Sequence, residues 1–222
     1  METILKACMV LLPFIYWCVD EKKGLRLATA ALFWIWLNLV LKHAPLQFFF
    51  AVRAGTLIEL LFWIITGAMI LAVYFLLGKR LESLLAAGGL RAGIIAGVAL
   101  SFIMILYRPS EEILMPAGMI PGLAAGYCLN RIHVGFTVSA LFGRTGHAKY
   151  LTLAARYLAG IAVLFLLYFT TGKLNMVFTN SENYILFVFL RFALLAFWVS
   201  VGAPWLFRLL RLAGDDPGNT QD

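Results

Sequence analysis

The sequence predicts an all-α protein, a polytopic transmembrane helical bundle of about seven spans, with its N-terminus outside and its C-terminus cytoplasmic. Three observations lead there. First, 63% of the 222 residues are hydrophobic and only 13% are charged, against about 45–50% and about 25% in a soluble domain. That leaves too little polar surface for a soluble globule. Second, several apolar runs reach or approach the roughly 20 residues that cross a bilayer. Backbone groups in lipid must be paired within the chain, so helix is the default for such runs. Third, the basic residues alternate between the two sets of connecting segments.

The apolar runs fall at roughly 4–19, 27–41, 56–77, 92–107, 113–129, 155–171 and 184–207. The first has the flavour of a signal peptide. Trp17 and Cys18 stand where a cleavage site would need small residues, so an uncleaved first span is expected. The first two runs are short and need tilt or flanking residues to cross. The third carries Glu59 about one turn inside its start. The fifth contains GMIPGLAAG, in which Gly118, Gly122 and Gly126 form a ridge at every fourth residue. Such a ridge lets two helix backbones approach closely in a bilayer. Pro116 and Pro121 predict a kink there; close packing or a broken transport helix would each use it. The seventh run holds Arg191 in its first half. Glu59 and Arg191 both enter from the outer side, so an intramembrane pair is possible, either as a polar clamp or as a functional element. Residues 1–211 are read as a single transmembrane domain and 212–222 as a disordered polar tail.

The charge count supports this map. The segments at 20–26, 78–91, 130–156 and after 207 hold twelve Lys and Arg, among them Lys22, Lys23, Arg26, Arg131, Arg156, Arg208 and Arg211. The alternate set holds five: Lys6, Lys42, Arg53, Arg108 and Lys173. Twelve against five follows the positive-inside rule. The net charge of +7 thus reports topology, and no dense patch points to nucleic acid. Cys8, Cys18 and Cys128 lie in or beside apolar runs and read as small buried hydrophobes. On this map His43 is outside while His133 and His147 are inside. They cannot converge, so neither a metal centre nor a Ser-His-Asp triad is expected. The stretch GRTGHAKY around His147 lacks a Walker Lys-Ser/Thr and a preceding strand.

A resemblance is carried by longer stretches. PFIYWCVDEKKGLRLATAALFWIWLNLVLKHA, with Trp17, Gly24, Asn38 and Lys42, resembles the region before the active site of the type-2 phosphatidic acid phosphatase family. ELLFWIITGAMILAVYFLLGKRLE resembles that family's last core span, with Glu59 where the family has an Asp. GMIPGLAAGYCLNRIHVGF, ARYLAGIAVLFLLY and VGAPWLFRLL resemble a C-terminal extension of some bacterial members. Residues 1–45 and 56–82 would then correspond to parts of the phosphatase core and 113–211 to the extension. The resemblance implies a membrane protein of the bacterial cytoplasmic membrane. Its relatives hydrolyse lipid phosphates such as phosphatidic acid and undecaprenyl pyrophosphate.

The family's catalytic motifs are where the sequence departs. Lys42 could open the first motif, but Phe49 and Phe50 stand where Arg-Pro is required. Pro-Ser-Gly-His does not occur. The third motif would place its Arg near Phe49 and its His near Gly55, and Arg53 is out of register. In the family one His attacks phosphorus, a second moves the proton, and Lys with two Arg hold the oxygens. Without the nucleophile and most of the clamp little phosphoryl transfer is expected. Two further spans between the second and third runs would complete an intact member. Their loss as a pair preserves the orientation downstream. The expectation is a non-catalytic relative that binds lipid phosphate or a membrane protein partner. Lys42, Arg53 and Arg108 are its phosphate-binding candidates, and His43 and Lys42 are the weak catalytic candidates. The alternatives are a phosphatase rebuilt on His43, Lys42, Arg53 and Arg108, or a small lipid or solute transporter built on the fifth span and the Glu59–Arg191 pair. Membrane lipids are the expected partners. No nucleic acid, cofactor or metal is implied.

Overall fold

The computed structural model describes residues 10–43, 64–70, 72, 92–107, 110–136, 138, 147–178 and 183–212. Regular structure among the described residues is helical throughout. The elements are α1 (Val10–Val19), α2 (Glu21–His43), a helical stretch at 64–70 (α3), α4 (Ala92–Tyr107), α5 (Glu111–Val134), α6 (His147–Phe178) and α7 (Tyr184–Leu209). The last three are long and apolar enough to cross a membrane, and α1 and α4 are shorter apolar helices. The protein is thus a helical membrane bundle.

Its axis is α5. In their apolar windows α5 is 61% buried, whereas α6 and α7 are 17% and 22% buried. The two outer helices therefore present most of their surface to lipid. The reason α5 can sit inside lies in its glycines. A Cβ added at Gly118 would come 2.5 Å from the Phe189 carbonyl oxygen, and one at Gly122 would run into the backbone of Ala193. One at Gly126 would meet the Ser200 side chain. Along this ridge α5 and α7 lie backbone to backbone. Such close approach maximises dispersion contact in lipid, where the hydrophobic effect between helices is absent. On its other side α5 packs against α2 and α4 through Leu32, Met104, Ala117, Ile120 and Leu123.

Both prolines lie inside α5, which stays helical through them. Pro121 has no N–H for the carbonyl of Ala117, four residues back. The Ser101 hydroxyl of α4 donates to that carbonyl at 2.7 Å and also to its own Gly97 carbonyl at 2.9 Å. A buried carbonyl left alone would cost about 1–3 kcal/mol. We expect Ser101→Ala to destabilise the bundle by about 1 kcal/mol, and by less in a Pro121→Ala background that restores the backbone donor. A double-mutant cycle on detergent unfolding temperatures reads the coupling, and equal costs in both backgrounds would contradict it.

The helix ends differ from the expected ones where caps act. The second run was expected at 27–41, but α2 begins at Glu21 because Asp20 caps it. The Asp20 Oδ1 accepts the N–H groups of Lys22 and Lys23, both at 2.9 Å, and Glu21 meets the positive end of the helix dipole. α5 continues past 129 to Val134 and stops at Gly135, whose φ of +60° is natural for glycine. A larger correction concerns the sixth span. Arg156 was expected in a loop. It lies well inside α6 and is fully buried. Its Nε donates to the Leu212 carbonyl at 2.8 Å, and its guanidinium carbon lies 5.1 Å from the Phe136 ring centre. A carbonyl and an aromatic face let the charge stay within the bundle.

Candidate functional site

Polar chemistry concentrates at two ends of the bundle. At one, three helices each contain a widened, π-helical turn: Ile15–Val19 in α1, Asn130–Val134 in α5 and Trp198–Gly202 in α7. Such turns displace backbone hydrogen bonds and often mark functional positions. In α7 the Ala203 N–H reaches back to the Trp198 carbonyl, which takes the usual donor away from Val199. Pro204 supplies no N–H for Ser200. Side chains of α1 take both carbonyls: Trp17 Nε1 donates to Val199 at 2.9 Å and the Tyr16 hydroxyl donates to Ser200 at 3.0 Å. Asn130 Nδ2 in turn donates to the Tyr16 oxygen at 3.3 Å.

Around this knot Tyr16, Trp17, Cys18, Val134, Phe136, Val138, Ala203 and Phe207 form one buried cluster. Trp17 packs edge-to-face on Phe207, with ring centres 5.6 Å apart. Its ring lies against Gly160 of α6, where an added Cβ would come 2.6 Å from it. Arg208 closes the end of α5, its Nη1 donating to the carbonyls of His133 and Val134 at 3.3 and 3.2 Å. Glu21 accepts the Val138 N–H at 3.1 Å. Each of these polar groups answers a helix end or a broken turn, so the arrangement locks five helices together.

The Asp20 cap sits at the same end. The Lys23 N–H holds its carboxyl below the ordinary value; burial opposes this, and the Lys22 N–H and the Lys23 ammonium add to the lowering. A depressed folded-state pKa stabilises above the unfolded pKa of about 3.9 and is lost as pH falls through the folded value. We expect the unfolding temperature to drop below about pH 4 partly on this account, and Asp20→Asn, which keeps a capping oxygen, to flatten that part of the profile. An unchanged profile in the variant would show that Asp20 carries none of it.

At the other end α2 is fastened to α3. Trp34 Nε1 donates to Thr66 Oγ1, which donates to Asn38 Oδ1, both at 3.2 Å. Asn38 Nδ2 donates to the Trp34 carbonyl at 2.8 Å. Asn38 and Thr66 are buried. Lys42 and His43 close α2 one turn beyond Asn38. Arg53, Glu59 and Arg108 lie outside the described residues, so the expected phosphate group and the Glu59–Arg191 pair do too. Arg191 itself faces α6. Its Nη2 donates to the Tyr168 carbonyl at 3.3 Å, and its guanidinium carbon stands 4.9 and 5.4 Å from the rings of Tyr168 and Phe192. Gly172 leaves room for it. His133 is exposed and His147 begins α6 at the same end of the bundle. Cys18 and Cys128 are buried. Among the described residues no three His, Cys, Asp or Glu gather to hold a metal ion.

Sequence reasoning missed Tyr16, Ser101, Asn130, Arg156 and Ser200. One signal was present: a proline within an apolar span orphans the carbonyl four residues before it and calls for a donor. Pro121 and Pro204 each had one.

The fold and its sites define a polytopic helical membrane protein held together by buried side-chain-to-carbonyl bonds. Residues 114–215 match the transmembrane extension of PAP2 superfamily phosphatases. Through this segment, a little under half of its length, the chain is related to that superfamily. No curated protein and no solved structure matches the chain. The matched segment covers most of α5 and all of α6 and α7, while Tyr16 and Trp17, which bond to α7, come from α1 outside it.

Proposed function

We propose that this protein is a non-catalytic relative of the membrane lipid phosphatases. In this reading it lies in a bacterial cytoplasmic membrane with its N-terminus outside, and it binds lipid phosphate headgroups at the outer end of α2. The observation that carries the reading is the departure after Lys42. The chain keeps the lysine that could hold a phosphate oxygen but has Phe49 and Phe50 where the family's Arg-Pro belongs. It also has no Pro-Ser-Gly-His stretch. A retained cation attracts a phosphate headgroup electrostatically; it does not supply a nucleophile. The Asn38–Thr66–Trp34 clasp supports this by fixing α2 one turn before Lys42. Arg53 and Arg108 would complete the binding set. The pairing of Arg191 with the α6 backbone and rings favours a packing role over transport.

The test is binding of short-chain phosphatidic acid to the purified full chain in detergent. Lys42→Gln, Arg53→Gln and Arg108→Gln should each weaken it by roughly fivefold, the effect of one cation near an anionic lipid. Undiminished binding in all three would remove this site. Substrate flux that depends on Arg191 or Pro121 would favour a transporter instead.

A further inference from the structure

We propose that the end of the bundle carrying the π-helical turns is a docking surface for anionic phospholipid headgroups. Lys22, Lys23 and Arg26 leave the first turns of α2, Arg131 the last turn of α5, and Arg208 and Arg211 the end of α7; all six side chains are exposed. The bonds from Val138 to Glu21 and from Arg208 to His133 and Val134 join these helix ends into one rim. The acids of the rim among the described residues are engaged, Asp20 with Lys23 at 3.7 Å and Glu21 with the Val138 N–H. At the opposite end the exposed charges among the described residues are Glu111, Glu112 and Lys173. Among the described residues the exposed cations thus gather at the rim.

Directly beneath the rim the surface turns apolar. Leu129 and Trp205 are exposed there, Trp205 by 55%, while the exposed Ile132 and Leu209 stand beside Arg131 and Arg208. Trp205 precedes Arg208 by three residues on α7, so the two share a helix face. An exposed tryptophan marks the level where hydrocarbon gives way to headgroups. An acyl chain lying along Trp205 thus brings its phosphate to the height of Arg208. Arg208 spends Nη1 on two backbone carbonyls and is itself exposed. A guanidinium binds phosphate oxygens in a bidentate way. Net negative charge on the headgroup is what the rim selects, because a zwitterionic headgroup gains little from the surrounding cations. This site lies at the other end of the bundle from Lys42 and does not depend on the function proposed above.

The experiment titrates the purified full chain in a non-ionic detergent with fluorescent phosphatidylglycerol and, separately, phosphatidylcholine. Phosphatidylglycerol is expected to bind at least tenfold more tightly, and more weakly as salt rises from 0.05 to 0.5 M. Each cation adds roughly fivefold near an anionic lipid. The triple variant Lys22→Gln, Arg131→Gln, Arg211→Gln spares the caps made by Arg208 and Asp20, and it should lose at least tenfold. Lys173→Gln, an exposed cation at the opposite end, should leave phosphatidylglycerol binding unchanged. Equal binding of the two lipids overturns the proposal, as does full competition by millimolar inorganic phosphate, which would mean a free-anion site. If the triple variant does not fold, the salt dependence of the unaltered chain decides: no weakening with salt overturns it.

Discussion

Trp17→Ala is expected to destabilise the bundle by about 3 kcal/mol, measured as thermal unfolding in detergent. Truncating a buried tryptophan costs about 3–5 kcal/mol in soluble proteins. The lower end applies here because apolar groups of an unfolded membrane chain stay in detergent, so the cavity outweighs the transfer cost. Trp17 has no exposed surface, packs on Phe207 and Gly160, and satisfies the Val199 carbonyl that the widened turn of α7 leaves open. Losing it opens a void and orphans a buried acceptor at once. Trp17→Phe should recover most of the packing and leave only the missing hydrogen bond, about 1–2 kcal/mol. If Trp17→Ala unfolds within a degree or two of the unaltered protein, α1 is not part of the core that the matched segment builds.

Gly122→Ala is expected to be the most damaging alanine substitution along the α5 ridge, costing about 3 kcal/mol or more, because its neighbour is the Ala193 backbone and cannot rotate aside. Gly126→Ala should cost less, since the nearest atom belongs to the Ser200 side chain, which can change rotamer. The order Gly122 worse than Gly126 is the diagnostic, read from unfolding temperatures of the two variants in one detergent. The reverse order would mean that α5 and α7 do not meet along this ridge.

The sequence made some of this legible and concealed the rest for physical reasons. Composition was enough for the helical membrane class, because a bilayer leaves few other ways to pair a backbone. The apolar run at 92–107 is helical throughout, as α4. Ends fixed by side-chain caps moved, as α2 did toward Asp20, since a cap is one hydrogen bond rather than a hydropathy trend. A repeat of small residues at every fourth position was visible as a ridge, yet nothing local named α7 as its partner. Arg156 was read as a loop cation because it stands at the edge of an apolar run, whereas Leu212 and Phe136 receive it in the core. The Tyr16–Ser200 bond joins residues 184 positions apart, and no window of sequence contains it. The matched extension at 114–215 agrees with the resemblance read in the distal stretches.

The central proposal is that this relative of the lipid phosphatases is non-catalytic. It is tested most directly by measuring phosphate release from a panel of lipid phosphates and pyrophosphates by the purified full chain in nanodiscs. The account predicts release at background for every lipid, with no change in His43→Ala. Release well above background that disappears in His43→Ala would contradict it, and would place a rebuilt active site at the end of α2.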